Sequence, residues 1–281
     1  MHTSAASASS MRPAVAPTVA APAVHAQTFN QNFLADVRID YGPRDLYARL
    51  FLRADTMLRE RGFNLYFAPL EELLAVNRRN SDSWRGLLPI FSAEAGGINS
   101  DNGFCLLAKS ADGQIVAAQA ARLYDLTGTN FKDETESLKL FYPNPEEVRG
   151  ANEKIVVTAP SAEIITGPTV FSGAVWYHPS VRRQGLTSIL PRVTKALSQT
   201  RWDTDVTLSF MAADVVKLGT APRAGYQHVE WSIDLIDTPV APGCVHSALI
   251  WSTRDELVDY FSGLLAPRDT KVDPVVHQRT A

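Results

Sequence analysis

From residue 169 onward the chain alternates between two hydrophobic periods. Strand-like segments at 169–178, 206–210, 226–236 and 245–251 are interleaved with helix-like segments at about 186–200, 212–223 and 253–264. In the terminal segment Leu257, Val258, Phe261 and Leu265 fall at helical spacing. Strands separated by helices bury their apolar surface most economically as one sheet covered by those helices. A hairpin precedes this order: residues 104–109 and 114–124 read as strands, joined by Ser110-Ala111-Asp112-Gly113, whose Asp-Gly pair suits a tight turn. A hairpin followed by alternating strands and helices implies a mixed α/β sheet.

Upstream the pattern is helical. Leu46, Tyr47, Leu50, Phe51, Ala54, Met57 and Leu58 lie on one face of a helix over 43–62, with Pro43 and Asp45 in its first turn and Gly62 at its end. A second helical region over 70–91 is interrupted near Asn80-Ser81 and at Pro89, and Gly96-Gly97 ends it. Residues 125–161 are polar and punctuated by Tyr142-Pro143-Asn144-Pro145, and read as an insertion with a short helix around 134–140. No internal repeat is visible.

A chain of 281 residues with 45% hydrophobic content is long enough for a large core, and its formal charge of -3 shows no basic excess for nucleic acid or anionic membrane. Cys105 and Cys244 fit no disulfide framework or zinc spacing and read as buried thiols. No metal and no membrane span is expected, and the location expected is cytoplasmic. Residues 1–35, rich in Ala, Ser and Pro, read as a disordered leader; Arg12 is the only basic side chain there other than histidine, and no acid precedes Asp36. A targeting segment is the alternative for that stretch. The folded domain is expected over 36–265 and a flexible tail over 266–281.

The chemistry concentrates in His178-Pro179-Ser180-Val181-Arg182-Arg183-Gln184-Gly185-Leu186-Thr187, a loop with glycine at its entry into a helix. A helix start carries unpaired amides and about half a positive charge, and binds phosphate without metal. Gly185 lets the backbone come close, and Arg182 or Arg183 adds a charged donor.

Arg182-x-x-Gly185-x-Thr187 resembles the R-x-x-G-x-G/A loop of the GNAT superfamily of N-acetyltransferases, and the preceding His178-Pro179 pair is common there. Ala224-Gly225-Tyr226 matches the family's Gly-Phe or Gly-Tyr position. Thr187 departs from glycine or alanine: it either crowds the pyrophosphate or adds a hydroxyl hydrogen bond. The resemblance implies an α/β (α+β) fold, a mostly antiparallel central sheet with helices on both faces. It further implies acetyl-CoA or another acyl-CoA as co-substrate and transfer of the acyl group to an amine on a small molecule, peptide or protein. Main-chain groups of Val175, Trp176 and Tyr177 would then hold the pantetheine arm, and Arg183, Gln184, Gly185, Leu186 and Thr187 the pyrophosphate. An amide near Val175 would serve the oxyanion.

The family's tyrosine acid and asparagine correspond here to Ala221 and Asp214. Asp214 either accepts a hydrogen bond from the cofactor or caps a helix. Glu163, Tyr177 and Tyr226 are the catalytic candidates. Glu163, among Ala162, Ile164 and Ile165, is either a general base of raised pKa or a solvent-facing strand residue; Tyr226 is either core or acid. The rival reading is an inactive acyl-CoA sensor on the same fold. Monomer and homodimer both stay open.

Overall fold

The computed structural model describes residues 32–266. In chain order these form α1 (Phe33–Asp36), α2 (Arg44–Glu60), β1 (Phe63–Ala68), α3 (Leu70–Arg79), α4 (Ala93–Gly96), β2 (Gly103–Ser110), β3 (Ile115–Asp125), α5 (Phe131–Glu136), α6 (Pro145–Val148) and β4 (Lys154–Val157). There follow β5 (Pro168–Tyr177), α7 (Leu190–Trp202), β6 (Val206–Ala212), α8 (Ala213–Lys217), α9 (Thr220–Arg223), β7 (His228–Thr238), β8 (Ala241–Thr253) and α10 (Arg254–Leu265). Single 3-10 turns lie at Pro89–Phe91, Pro160–Glu163, Pro179–Val181 and Leu186–Ser188.

The strands make one eight-stranded sheet in the order β1-β2-β3-β5-β6-β8-β7-β4. Every neighbouring pair is antiparallel except β5 and β6. The mostly antiparallel mixed sheet with helices on both faces expected from the sequence is the architecture observed. Alternation along the strands feeds two cores: Phe104, Leu106 and Ala108 of β2 join α1, α2, α7 and α10 on one face. Cys105 and Leu107 join α3, α5 and the loops between them on the other.

Several elements differ from the sequence expectation for identifiable reasons. β1 was not anticipated: five of its six residues are buried, so it presents an unbroken apolar run rather than alternation. The expected leader ends earlier than residue 35, because Phe33 is fully buried with its ring 5.8 Å from those of Phe51 and Phe67; the rest of the leader, residues 1–31, and the tail at 267–281 lie outside the described residues. The insertion contributes an edge strand, β4, paired with β7. The helix expected over 212–223 is two short ones, divided by Gly219 in a left-handed conformation. Cys105 is buried as expected, but Cys244 is exposed on β8. Among the described residues no helix is long and apolar enough to cross a membrane.

Candidate active site

β5 is paired on both sides at its start and on one side at its end. Thr169, Val170 and Phe171 pair in parallel with Val206, Thr207 and Leu208 of β6. Beyond them β5 stays with β3, while β6 follows β8 as far as Ala212 opposite Ser247. The sheet therefore opens between the C-terminal ends of β5 and β6. A bulge accompanies the parting: Ala118 faces Trp176 and Ala120 faces Gly173, so Ala174 and Val175 together oppose Gln119, with Ala174 at φ 52°. A bulge bends and twists its strand and frees main-chain groups from the ladder. Here it faces a cavity of about 860 Å3 that runs through the opening.

On the α7 face the opening is bordered by the loop singled out in the sequence. Arg182, Arg183, Gly185, Leu186 and Thr187 line the cavity, as do Val175, Trp176 and Tyr177. His178 Nδ1 accepts from the Ser180 amide at 3.2 Å, and Arg182 Nε donates to the Tyr177 carbonyl at 3.3 Å, fixing the start of the loop. Arg183 and Gly185 sit at φ 70° and 80°, which turns the chain so that the amides of Arg183, Gly185, Leu186 and Thr187 donate to no main-chain carbonyl. A methyl at Gly185 would meet nothing within 4 Å, so that glycine answers to backbone conformation and open space, not packing. Gln184 is not brought to the cavity; its amide side chain donates to the Ser180 carbonyl. Asp214 lines the cavity, exposed, on α8, where Ala212 takes the N-cap position.

The sequence candidates for acid and base separate sharply. Glu163 lies outside the cavity lining, exposed on a 3-10 turn, and pairs with Lys132 at 2.7 Å. That partner holds its carboxyl below the ordinary range, the opposite of the raised value a buried base would need. Tyr177 borders the cavity, but its ring packs into the α7-side core and its hydroxyl is buried with no hydrogen-bond partner. Tyr226 is different. Its ring lines the opening, close to Ser172 and Ser209, one on each parted strand; Ser209 Oγ donates to the Phe210 carbonyl at 3.3 Å. Burial raises the Tyr226 pKa, and the two serines oppose that rise. Gln119 Nε2 donates to Ser172 Oγ at 3.0 Å, leaving Gln119 Oε1 buried and unpartnered.

Sequence reading passed over Gln119, Ser172 and Ser209. Only Gln119 carried a signal, as the one polar residue in the run Val116-Ala117-Ala118-Gln119-Ala120-Ala121. Lys195 of α7 was also missed: it is fully buried, its Nζ donates to the Ala224 carbonyl and sits 3.8 Å from the Tyr226 ring centroid.

Through the opening, on the face away from α7, the cavity becomes an aromatic chamber. Phe171 packs on Phe91 and edge-on to Phe210, at 5.9 and 4.9 Å between ring centroids. Trp84 and Trp176 stack at 5.2 Å with planes 9° apart. Gly173 makes room here, since a methyl would come within 2.7 Å of the Phe91 ring. The tip of the β7-β8 hairpin closes over this end, where Val240 lies against Gly86. Among the described residues no group of three or more His, Cys, Asp or Glu side chains could hold a metal.

No protein-family model matches the chain, and no curated protein does. Solved structures do. Spermidine N-acetyltransferase from Vibrio cholerae, in a dodecameric structure, is 8% identical over 71% of this chain and 98% of its own, with a TM-score of 0.43. AAC(6')-Ib in complex with paromomycin and acetyl-CoA is 13% identical over 69% of this chain and 95% of its own, with a TM-score of 0.38. These neighbours are GNAT-family N-acetyltransferases.

Proposed function

We propose that the chain is an acyl-CoA-dependent N-acyltransferase of the GNAT type, acting by direct attack of an amine on the thioester. The parting of β5 from β6 after three paired residues carries this reading, because it joins a phosphate-suited loop on one face to an enclosed chamber on the other. A pyrophosphate would take the free amides of Arg183, Gly185, Leu186 and Thr187 with Arg182 or Arg183 beside it, and an extended pantetheine arm would pair with the unladdered edge of β5 at 175–177. The thioester then lies in the opening, where an amide of the Ala174-Val175 bulge is available to the tetrahedral oxyanion.

In the reaction the neutral amine forms the N–C bond and the C–S bond breaks. Tyr226 supplies the proton that the leaving thiolate takes up, and recovers one that the amine sheds through water. Tyr226 lines the opening at the point of parting, close to Ser172 of β5 and Ser209 of β6, which supports this role over a purely structural one. The same reading takes the protein as cytoplasmic, in keeping with two free cysteines.

Thermal unfolding of the full chain with saturating acetyl-CoA tests the cofactor site, since a ligand bound only to the folded state raises the midpoint. A rise, followed by thiol release on adding an amine, is the expected result; no rise with acetyl-CoA, longer acyl-CoA or free CoA overturns the reading. A non-catalytic acyl-CoA sensor is the second reading. Ala221, at the family's usual tyrosine position, is 1% exposed and supports it; cofactor binding without turnover of any amine is its signature.

A further inference from the structure

We infer that the acceptor is a primary amine borne on a neutral, flat, apolar body, an arylalkylamine in chemical class, and not a polycation. This rests on the acyltransferase reading and specifies its second substrate. The far chamber is walled by the Trp84–Trp176 stack, Phe91, Phe171 and Phe210 and closed by Val240. Along the whole cavity the sole carboxylate among the described lining residues is Asp214, which belongs to α8 at the cofactor end. The sole ionisable group of the chamber itself is Arg85, a cation.

A polyamine or aminosugar needs carboxylates or dense hydrogen-bond acceptors to replace the water around each ammonium group. This wall offers aromatic faces and methyls, and Arg85, an exposed residue beside it, supplies no counter-charge for an ammonium. A single reactive amine is different: it loses its charge before attack and sits at the opening, beside Tyr226 and the hydrogen-bonded Gln119 and Ser172, while its ring fills the chamber. Gly173 fits the same design, since its missing side chain lets the Phe91 ring approach β5 as part of the chamber wall.

The test uses the full chain with saturating acetyl-CoA and follows thiol release with phenethylamine, tryptamine and spermidine. The expected kcat/KM is higher for the two arylalkylamines than for spermidine by about 100-fold. Trp84→Ala should raise the arylalkylamine KM by about tenfold with kcat nearly unchanged, and Trp84→Phe should restore much of it, a split that a general loss of folding would not give. Spermidine turnover equal to or above that of the arylalkylamines overturns the inference. So does octanoyl-CoA outperforming acetyl-CoA with the same amine, which would make the chamber an acyl-chain site. A thermal shift with acetyl-CoA but no arylalkylamine turnover overturns the acceptor class alone, whereas no thermal shift overturns the reading beneath it.

Discussion

Tyr226 and Lys195 form a pair whose behaviour follows from burial. Lys195 Nζ lies over the Tyr226 ring with no carboxylate of the described residues paired to it, and desolvation, with Arg192 second, lowers its pKa well below the ordinary value. A cation over an aromatic ring recovers about 2 kcal/mol or more in a dry site against the several kcal/mol lost on removing an ammonium from water, and burial without a counter-charge shifts Lys195 toward the neutral amine. The unfolded chain holds this proton up to about pH 10.4 and the folded chain gives it up at lower pH, so between those values stability rises with pH. Lys195→Met should therefore stabilise the protein, by a margin that grows in urea titrations as pH is lowered from 10 until the folded-state value is reached; an equal margin throughout would mean that the lysine is charged in the fold. Tyr226→Phe probes the other partner. On the proposed reading, in which its hydroxyl protonates the leaving thiolate, this change should lower kcat by about 100-fold while the acetyl-CoA thermal shift persists.

At the level of elements the decisive local device is the loop between β5 and α7, and its geometry was largely legible. Gly185 between two arginines and a helix announces a turn with free amides, and the structure has Gly185 at φ 80°. Gly185→Asn, a residue that tolerates left-handed backbone, should keep most of the acetyl-CoA thermal shift. Gly185→Glu should abolish it through strain and charge against the pyrophosphate, with circular dichroism unchanged. Elements with one clear period or a strong turn, such as α2, the β2-β3 hairpin and β5, were readable for the same reason. What escaped was set by tertiary context. β1 has both faces buried and so lacks alternation. The bulge at Ala174 depends on register against Gln119, and the grouping of Ser172, Tyr226 and Ser209 at the opening joins residues from distant segments. Glu163 failed as a base because Lys132, 31 residues earlier in sequence, meets it on the surface.

For the whole molecule, the sheet behaves as two antiparallel halves, β1-β2-β3-β5 and β6-β8-β7-β4, joined strand to strand by only three parallel residue pairs. Helix α10 bridges the seam on one face: Leu257 and Phe261 share one core with β2 and β3 residues, and Glu256 pairs with His228 of β7 at 2.6 Å. The open ends of β5 and β6 have no such cover, so local opening there should cost less than global unfolding. A cofactor lying in the gap would touch both halves at once and close that weak point. Hydrogen exchange followed with and without acetyl-CoA should then show its largest added protection at residues 173–177 and 209–212, with little change in β1, β2 and β4. Protection confined to residues 182–187 would mean that only the phosphate end of the ligand engages the protein, and protection spread evenly over all eight strands would mean that the two halves already act as a single cooperative unit.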